Sequence, residues 1–265
     1  MHIPACPFPE PAMREPIAPL WKLPSQCMIC HAWPAYSICE ACRHAHAQVQ
    51  PRCTGCALLL PPGHAASADD HATHLCAHCL RQPLRGIDGC HAAVSYSWPW
   101  QACVDGFKFG AQTGWAIALA GVMLQHPMLR LAVRTCDALI PMPLHPRRLA
   151  ERGYNQSQLL AQALRACTHK EERLDHRQAL VRHDWLLRVR NTQVQSRLSL
   201  AQRQRNMHQA FAVAADQSPQ LRGKRVVLVD DVMTSGASVQ AAAQTLRTAG
   251  VHRLQVVIFA RTEKP

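Results

Sequence analysis

Four consecutive apolar residues at 226–229, V-V-L-V, interrupt an otherwise mixed chain and show no polar alternation. Such a run suits a strand buried on both faces of a parallel sheet. Asp230 and Asp231 are expected to end it, and the small residues Thr234, Ser235, Gly236, Ala237 and Ser238 to turn the chain into an amphipathic helix at 239–249. Upstream, 91–98 alternates and reads as a first strand, while 104–109 and 114–124 read as helices. A short apolar strand is expected at 137–144, where Pro141 and Pro143 force an early end, followed by a helix at 155–167. These elements fit an α/β fold built on a parallel sheet.

The stretch after residue 226 carries its own chemistry. A strand, a turn with bare amides and a helix N-terminus make an anion cradle, because unpaired N–H groups and the helix dipole point at one spot. Carboxylates at its mouth would repel a bare phosphate, so Asp230 and Asp231 fit a ligand with hydroxyls or a cation beside the phosphate. A sugar phosphate meets that demand. No G-K-[ST] follows, so this is not a Walker A loop.

The first third of the chain is different. Cys27/Cys30, Cys39/Cys42, Cys53/Cys56 and Cys76/Cys79 are four C-x2-C pairs, the spacing that lets two sulfurs of one knuckle reach a tetrahedral ion. They predict two structural Zn²⁺ sites of four cysteines each. Sequential pairing is the default, and interleaved pairing stays open. His31, His44, His46, His64, His71, His74 and His78 lie among them, but the cysteine sets are already complete and these histidines read as solvated. Closed thiolate sites leave no open coordination position, so the module should bind or brace rather than catalyse. Cys6, Cys90, Cys103, Cys136 and Cys167 stand alone and read as small buried or incidental residues.

The chain thus divides into a leader expected to be disordered (1–24), a double zinc-ribbon module (25–84, with an irregular insertion at 58–74) and a larger α/β domain (88–265). The N-terminus lacks a basic region followed by an apolar core, and no run of about 18 apolar residues appears. A cytoplasmic protein is expected, with any membrane association peripheral and at the inner face. Thirteen cysteines in that compartment argue for metal rather than disulfides.

Charge narrows the partner. The formal net charge is +12, and zinc-bound thiolates would reduce the surplus without removing it. Residues 140–210 hold thirteen Lys or Arg against five Asp or Glu, which favours a polyanionic ligand. Arg147, Arg148 and Arg152 crowd the approach to the 155–167 helix, and planar guanidinium forks suit pyrophosphate oxygens. Arg188 and Arg190 open a long polar loop, with Thr192 near the start of a helix and Leu198 and Leu200 as its buried residues; this loop reads as a lid. Lys108, between Phe107 and Phe109, is placed to reach an anion or a ring face. Trp98, Trp100 and Trp115 read as core or seam residues, with base stacking the other use of such rings.

The stretch V-L-V-D-D-V-M-T-S-G-A-S resembles the phosphoribosyl pyrophosphate (PRPP) motif of type I phosphoribosyltransferases. Two further segments precede it in order, P-M-P-L-H-x2-R-x3-R-G-Y-N-Q and R-x-R-N-T-x2-Q-x2-L-x4-R-x2-N-x3-A-F. With the cysteine knuckles ahead, the chain from residue 27 resembles the ComF family, a double zinc ribbon fused to a phosphoribosyltransferase domain. The resemblance implies a parallel sheet with helices on both faces, Mg²⁺ accompanying PRPP, and association with DNA uptake or use of external DNA in bacteria. It also implies that Asp230 and Asp231 face the ribose hydroxyls, residues 234–238 the 5′-phosphate, and Arg147, Arg148 and Arg152 the pyrophosphate. Thr234 stands where purine-salvage relatives carry an Asp that serves as base, which argues against purine transfer.

Two function classes stay open at this level. One is a pentosyl transferase acting on PRPP. The other is a non-catalytic PRPP sensor that binds single-stranded DNA and contacts a DNA-uptake motor protein through the zinc module.

Overall fold

The computed structural model describes residues 25–34, 36–61, 74–171, 179–189, 210–214 and 217–263. The expected leader at 1–24, His64, His71, most of the insertion, Arg190, Thr192, Leu198 and Leu200 lie outside these residues. Two short helices, α1 (Glu40–His46) and α2 (Ala77–Arg81), each start directly after a cysteine, Cys39 and Cys76. Then come β1 (Gly89–Ser95), α3 (Trp100–Phe109), α4 (Trp115–Met123), α5 (Pro127–Thr135) and β2 (Ala138–Pro141). They lead to α6 (Pro146–Arg152), α7 (Gln156–Glu171), β3 (Leu180–Val181), β4 (Leu186–Arg188) and β5 (Phe211–Val213). The chain continues through α8 (Ser218–Leu221), β6 (Arg225–Met233), α9 (Ala237–Thr248) and β7 (Arg253–Arg261).

Five strands form one parallel sheet in the order β1-β7-β6-β2-β3, and β4 pairs antiparallel with β5 beside it. Side chains alternate between two cores, as strand geometry requires. From β6, Val227 and Val229 enter one core while Val226 and Leu228 enter the other. The first core is completed by α3, α4, α5 and α7, the second by α9, Trp185, Leu186 and Phe211. With both faces covered, the strands read as near-continuous apolar runs. α9 buries Val239, Ala242, Ala243 and Leu246, the i, i+3, i+4, i+7 spacing of one helix face.

Asp230 and Asp231 lie inside β6 rather than after it. β7 runs alongside as far as Arg261 and pairs Asp230 with Ile258 and Met233 with Arg261, so ladder partners continue past the apolar run. β2 stops at Pro141, within the limit that its prolines set. α3 begins at Trp100, earlier than 104, because Trp100 and Cys103 are themselves buried.

The cysteine region is stitched to this sheet on both faces. Cys27, Ile38 and Cys42 pack in the first core, whereas Cys53, Cys56, Leu60 and Cys79 pack in the second. Trp100 Nε1 donates to the His46 carbonyl (2.9 Å), and the Cys90 amide donates to the Thr54 carbonyl (2.8 Å). Arg52 donates to Glu263 Oε1 (2.7 Å) and Ser95 Oγ (2.8 Å), joining a knuckle to the ends of β1 and β7.

Candidate functional site

The site lies at the carboxyl end of the sheet, where parallel α/β folds collect their ligand-binding loops. β6 delivers Asp230 and Asp231 there, and residues 234–236 turn the chain into α9. Gly236 has φ 78°, left-handed backbone that a side chain strains, and a Cβ on it would lie 3.2 Å from Leu84 Cδ1. Among the described residues, the amides of Thr234, Ser235 and Gly236 donate to no protein acceptor. With the N-terminus of α9 behind them they form a cradle for an anion.

Arg261 fixes the back of this cradle. It is only 4% exposed, and among the described residues no carboxylate pairs with it. One terminal nitrogen faces the carbonyls of Met233 (3.1 Å), Thr234 and Thr262 (2.7 Å), and Nε donates to the Cys56 carbonyl (2.8 Å). Holding the carbonyls of the turn on one side leaves its amides for the other. The buried positive charge adds to the anion potential of the loop.

The acids sit in a charged and hydrogen-bonded setting. Lys108 Nζ lies 3.2 Å from Asp231 Oδ2, so the cation that the sequence flagged reaches the acid pair. Ser157 Oγ donates to Asp230 Oδ1 (2.9 Å), and the amides of Asp231 and Val232 cap the two carboxylates. Burial and the adjacent Asp231 push Asp230 up to about 7, against the opposing pull of Lys108 and Ser157. Asp230 is therefore poised to exchange a proton near neutrality.

Ser157 is a residue that the sequence reading passed over. It belongs to the segment Tyr154, Asn155, Gln156 and Ser157, in which every side chain has a structural task. Asn155 caps α7 through its contacts to the Ser157 and Gln158 amides, and donates to the Met142 carbonyl at the end of β2 (3.1 Å). Tyr154 donates to the Phe107 carbonyl, and Gln156 Nε2 approaches the Lys108 carbonyl (3.5 Å). The segment thereby locks α3, α7 and β2 around the acids. Its first three residues belong to the R-G-Y-N-Q stretch that carries the family resemblance; Ser157, just beyond it, had no signal of its own.

The arginines do not act as one cluster. Arg147 is exposed and pairs with Glu151 (3.2 Å), whereas Arg152 donates to Gln156 Oε1 (3.0 Å) and stacks over Phe109. Burial draws Arg188 below its ordinary value while Asp230 opposes that shift and Arg148 adds to it, so Arg188 lies within the field of the acid pair. Arg190 is not among the described residues.

Each cysteine set offers four sulfurs that lie within 4.8 Å of one another: Cys27, Cys30, Cys39 and Cys42 in one, Cys53, Cys56, Cys76 and Cys79 in the other. This is the sequential pairing. Backbone amides of Cys39, Cys42 and Cys76 point at the sulfurs of Cys27, Cys39 and Cys53, the pattern of a knuckle turned around a metal. Both sets fit a structural tetrahedral ion. Cys90, Cys103 and Cys136 are buried apart from them.

The phosphoribosyl transferase domain family matches residues 173–265, the span that holds β6, the cradle and β7. The DNA utilization protein YhgH of Salmonella typhi is 30% identical over 252 residues, covering 91% of this chain and 98% of that protein. YhgH of Escherichia coli K12 is 29% identical with the same coverage, and competence protein F of Haemophilus influenzae is 30% identical over 233 residues, covering 84% of this chain and 96% of its own. Coverage this long cannot be confined to the sheet domain and has to run through the cysteine sets as well, so the chain belongs to the ComF family.

Proposed function

We propose that the carboxyl end of the sheet binds PRPP with Mg²⁺, and that the protein uses this site in the uptake of DNA or the use of external DNA. The observation that carries the first part is the pairing of bare amides at 234–236 with two carboxylates one turn away. The amides and Ser238 suit the 5′-phosphate, while Asp230 and Asp231 suit the ribose hydroxyls. Arg188, whose charge Asp230 and Arg148 reach, and Arg148 itself support a cationic pyrophosphate side, to which the family resemblance adds Arg147 and Arg152. Mg²⁺, when bound, would neutralise charge on the pyrophosphate oxygens. Ser157 and Lys108 hold the acids in place, and Arg261 holds the loop. Such a site lowers a pentosyl-transfer barrier through position and electrostatics. The part concerning DNA is supported by the names of the relatives, DNA utilization protein and competence protein F.

In this reading residues 25–84 form a double zinc module that braces the domain at 88–265. The expected location is cytoplasmic; among the described residues no single helix is long and apolar enough to cross a membrane. Calorimetric titration of Mg²⁺ and PRPP into zinc-loaded protein tests the site. Heat of binding is expected from the native chain and not from Gly236→Val, which fills the cradle. No heat from the native chain sinks the proposal.

A second reading rests on Trp98, which is 73% exposed and lies edge-on to His46 (ring centroids 5.0 Å apart) beside the basic last turn of α1. An exposed indole edge-on to an imidazole suits the stacking of single-stranded DNA bases, with the zinc module also meeting a motor partner. Single-strand binding that falls steeply with salt and survives Asp231→Asn would favour this sensor over the transferase.

A further inference from the structure

We propose that the amino end of the sheet carries a docking groove for an acidic peptide segment of a partner protein, anchored by a large apolar side chain. The groove encloses about 240 Å³ and is lined by α5 and by the first residues of β6 and β7. Pockets that take a whole small molecule run to about 300–1,000 Å³, so this one suits one or two side chains of a longer ligand. On the helix side it is lined by Met128, Leu131 and Ala132, spaced i, i+3 and i+4 on one face of α5. Ala132 is buried, but Met128 is 39% and Leu131 52% exposed, so the apolar stripe of the helix runs past the core and onto the surface. Single exposed apolar residues are ordinary; two of them one turn apart along a groove offer an anchor for a partner's side chain.

The strand side supplies charge. Arg225 and Arg253 both line the groove, and the register of β6 on β7 sets them level with each other. Like charges directly opposite on neighbouring strands repel. Asp137 relieves only one of them: it pairs with the Arg225 guanidinium at 3.1 Å and accepts the Arg225 amide at 2.8 Å. Arg253 is exposed, and among the described residues no carboxylate pairs with it. Gln255, two residues on and therefore on the same strand face, lines the groove with a side-chain amide that meets no hydrogen-bond partner among the described residues. A carboxylate from outside answers Arg253, and a peptide backbone answers Gln255. Nucleic acid is the poorer fit, because among the described residues no aromatic ring lines the groove, and Met128 and Leu131 offer nothing to phosphate. A second copy is poorer still, because a two-fold contact sets the arginine pair against its own copy in a chain of net charge +12. From Arg225 the strand runs about 17 Å to Asp230, so the groove stands apart from the anion cradle.

The test is fluorescence anisotropy on the full-length, zinc-loaded protein with the fluorescein-labelled peptide D-D-L-D-D-F-D. The peptides D-D-S-D-D-S-D and N-N-L-N-N-F-N serve as controls for the apolar anchor and for the charge. The first peptide should bind, and each control should bind about tenfold or more weakly. Arg253→Glu and Leu131→Ser should each weaken the first peptide about fivefold or more, with the melting temperature unchanged, because both side chains lie on the surface. No binding of the first peptide, equal binding of the serine peptide, or native affinity in either variant overturns the groove. A labelled dT oligonucleotide that binds the native chain and loses as much affinity in both variants overturns it in favour of nucleic acid. Self-association of the native chain that Arg253→Glu abolishes overturns it in favour of a second copy.

Discussion

Arg261 joins Cys56 to Thr234: its guanidinium donates to the carbonyl of a cysteine in the second metal set and to that of the first residue in the anion loop. The two acceptors sit on segments 178 positions apart in the sequence, and one buried side chain sets both. Replacing it by Met strands the Cys56 carbonyl, whose donor is Arg261 Nε, away from water. We expect Arg261→Met to cost about 3 kcal/mol or more in urea unfolding and to abolish PRPP heat, whereas Arg253→Met, at an exposed position, should do neither. Native-like stability for Arg261→Met would refute this coupling.

Loss of metal should travel along the same path. Cys76→Ser breaks the second set, whose Cys56 carbonyl is an Arg261 acceptor, so hydrogen exchange at 233–236 should speed up about tenfold or more. Cys39→Ser breaks the first set, which touches α3 through His46 and Trp100, and should leave the loop amides nearly unchanged while loosening α3. Identical exchange maps for the two variants would show that the sets act only on global stability.

The proton on Asp230 gives a pH dependence with a defined sign. Its folded-state pKa, about 7, lies above the ordinary 3.8, so between these values the folded protein binds the extra proton. The Asp230 contribution to stability is therefore intact below about pH 4, declines as pH rises, and is fully lost above about 7. Asp230→Asn should melt higher than the native chain at pH 8, with the gap closing toward pH 4, and should bind PRPP more weakly at every pH. A gap that widens on acidification contradicts the assignment.

Ser157 stabilises the charged form of Asp230 by donating to it, so removing the hydroxyl raises the pKa further. In Ser157→Ala, the midpoint of PRPP affinity against pH should move upward by about half a unit or more. A midpoint shifted downward, or unmoved, means that the serine is not an effective donor.

Local patterns carried much of this architecture. The unbroken V-V-L-V run located the central strand, the C-x2-C spacing located both metal sets, and the T-S-G-A-S turn located the cradle, because each is set by contiguous residues. Signals weakened where partners are distant. The length of β6 depends on β7, so Asp230 and Asp231 read as a strand end when they lie within one. β3 and β5 span only two and three residues, too few for periodicity to register. Arg261 looked like an ordinary basic residue near the C-terminal end, since its acceptors are carbonyls of the loop and the cysteine knuckle. Lys108 stood out between two aromatic residues, but its pairing with Asp231 follows only from the position of β1 beside β7.

The first strand of the sheet pairs with the last, and this orders events on the ribosome. Cys56 emerges 205 residues before the arginine that its carbonyl receives, and Arg52 emerges 211 before Glu263. The four sulfurs of each knuckle are made early, yet the surface that the second knuckle shares with the sheet stays open until β7 arrives. During that interval the second knuckle lacks the arginine and glutamate that tie it to the sheet, whereas the first already has its partner in α3.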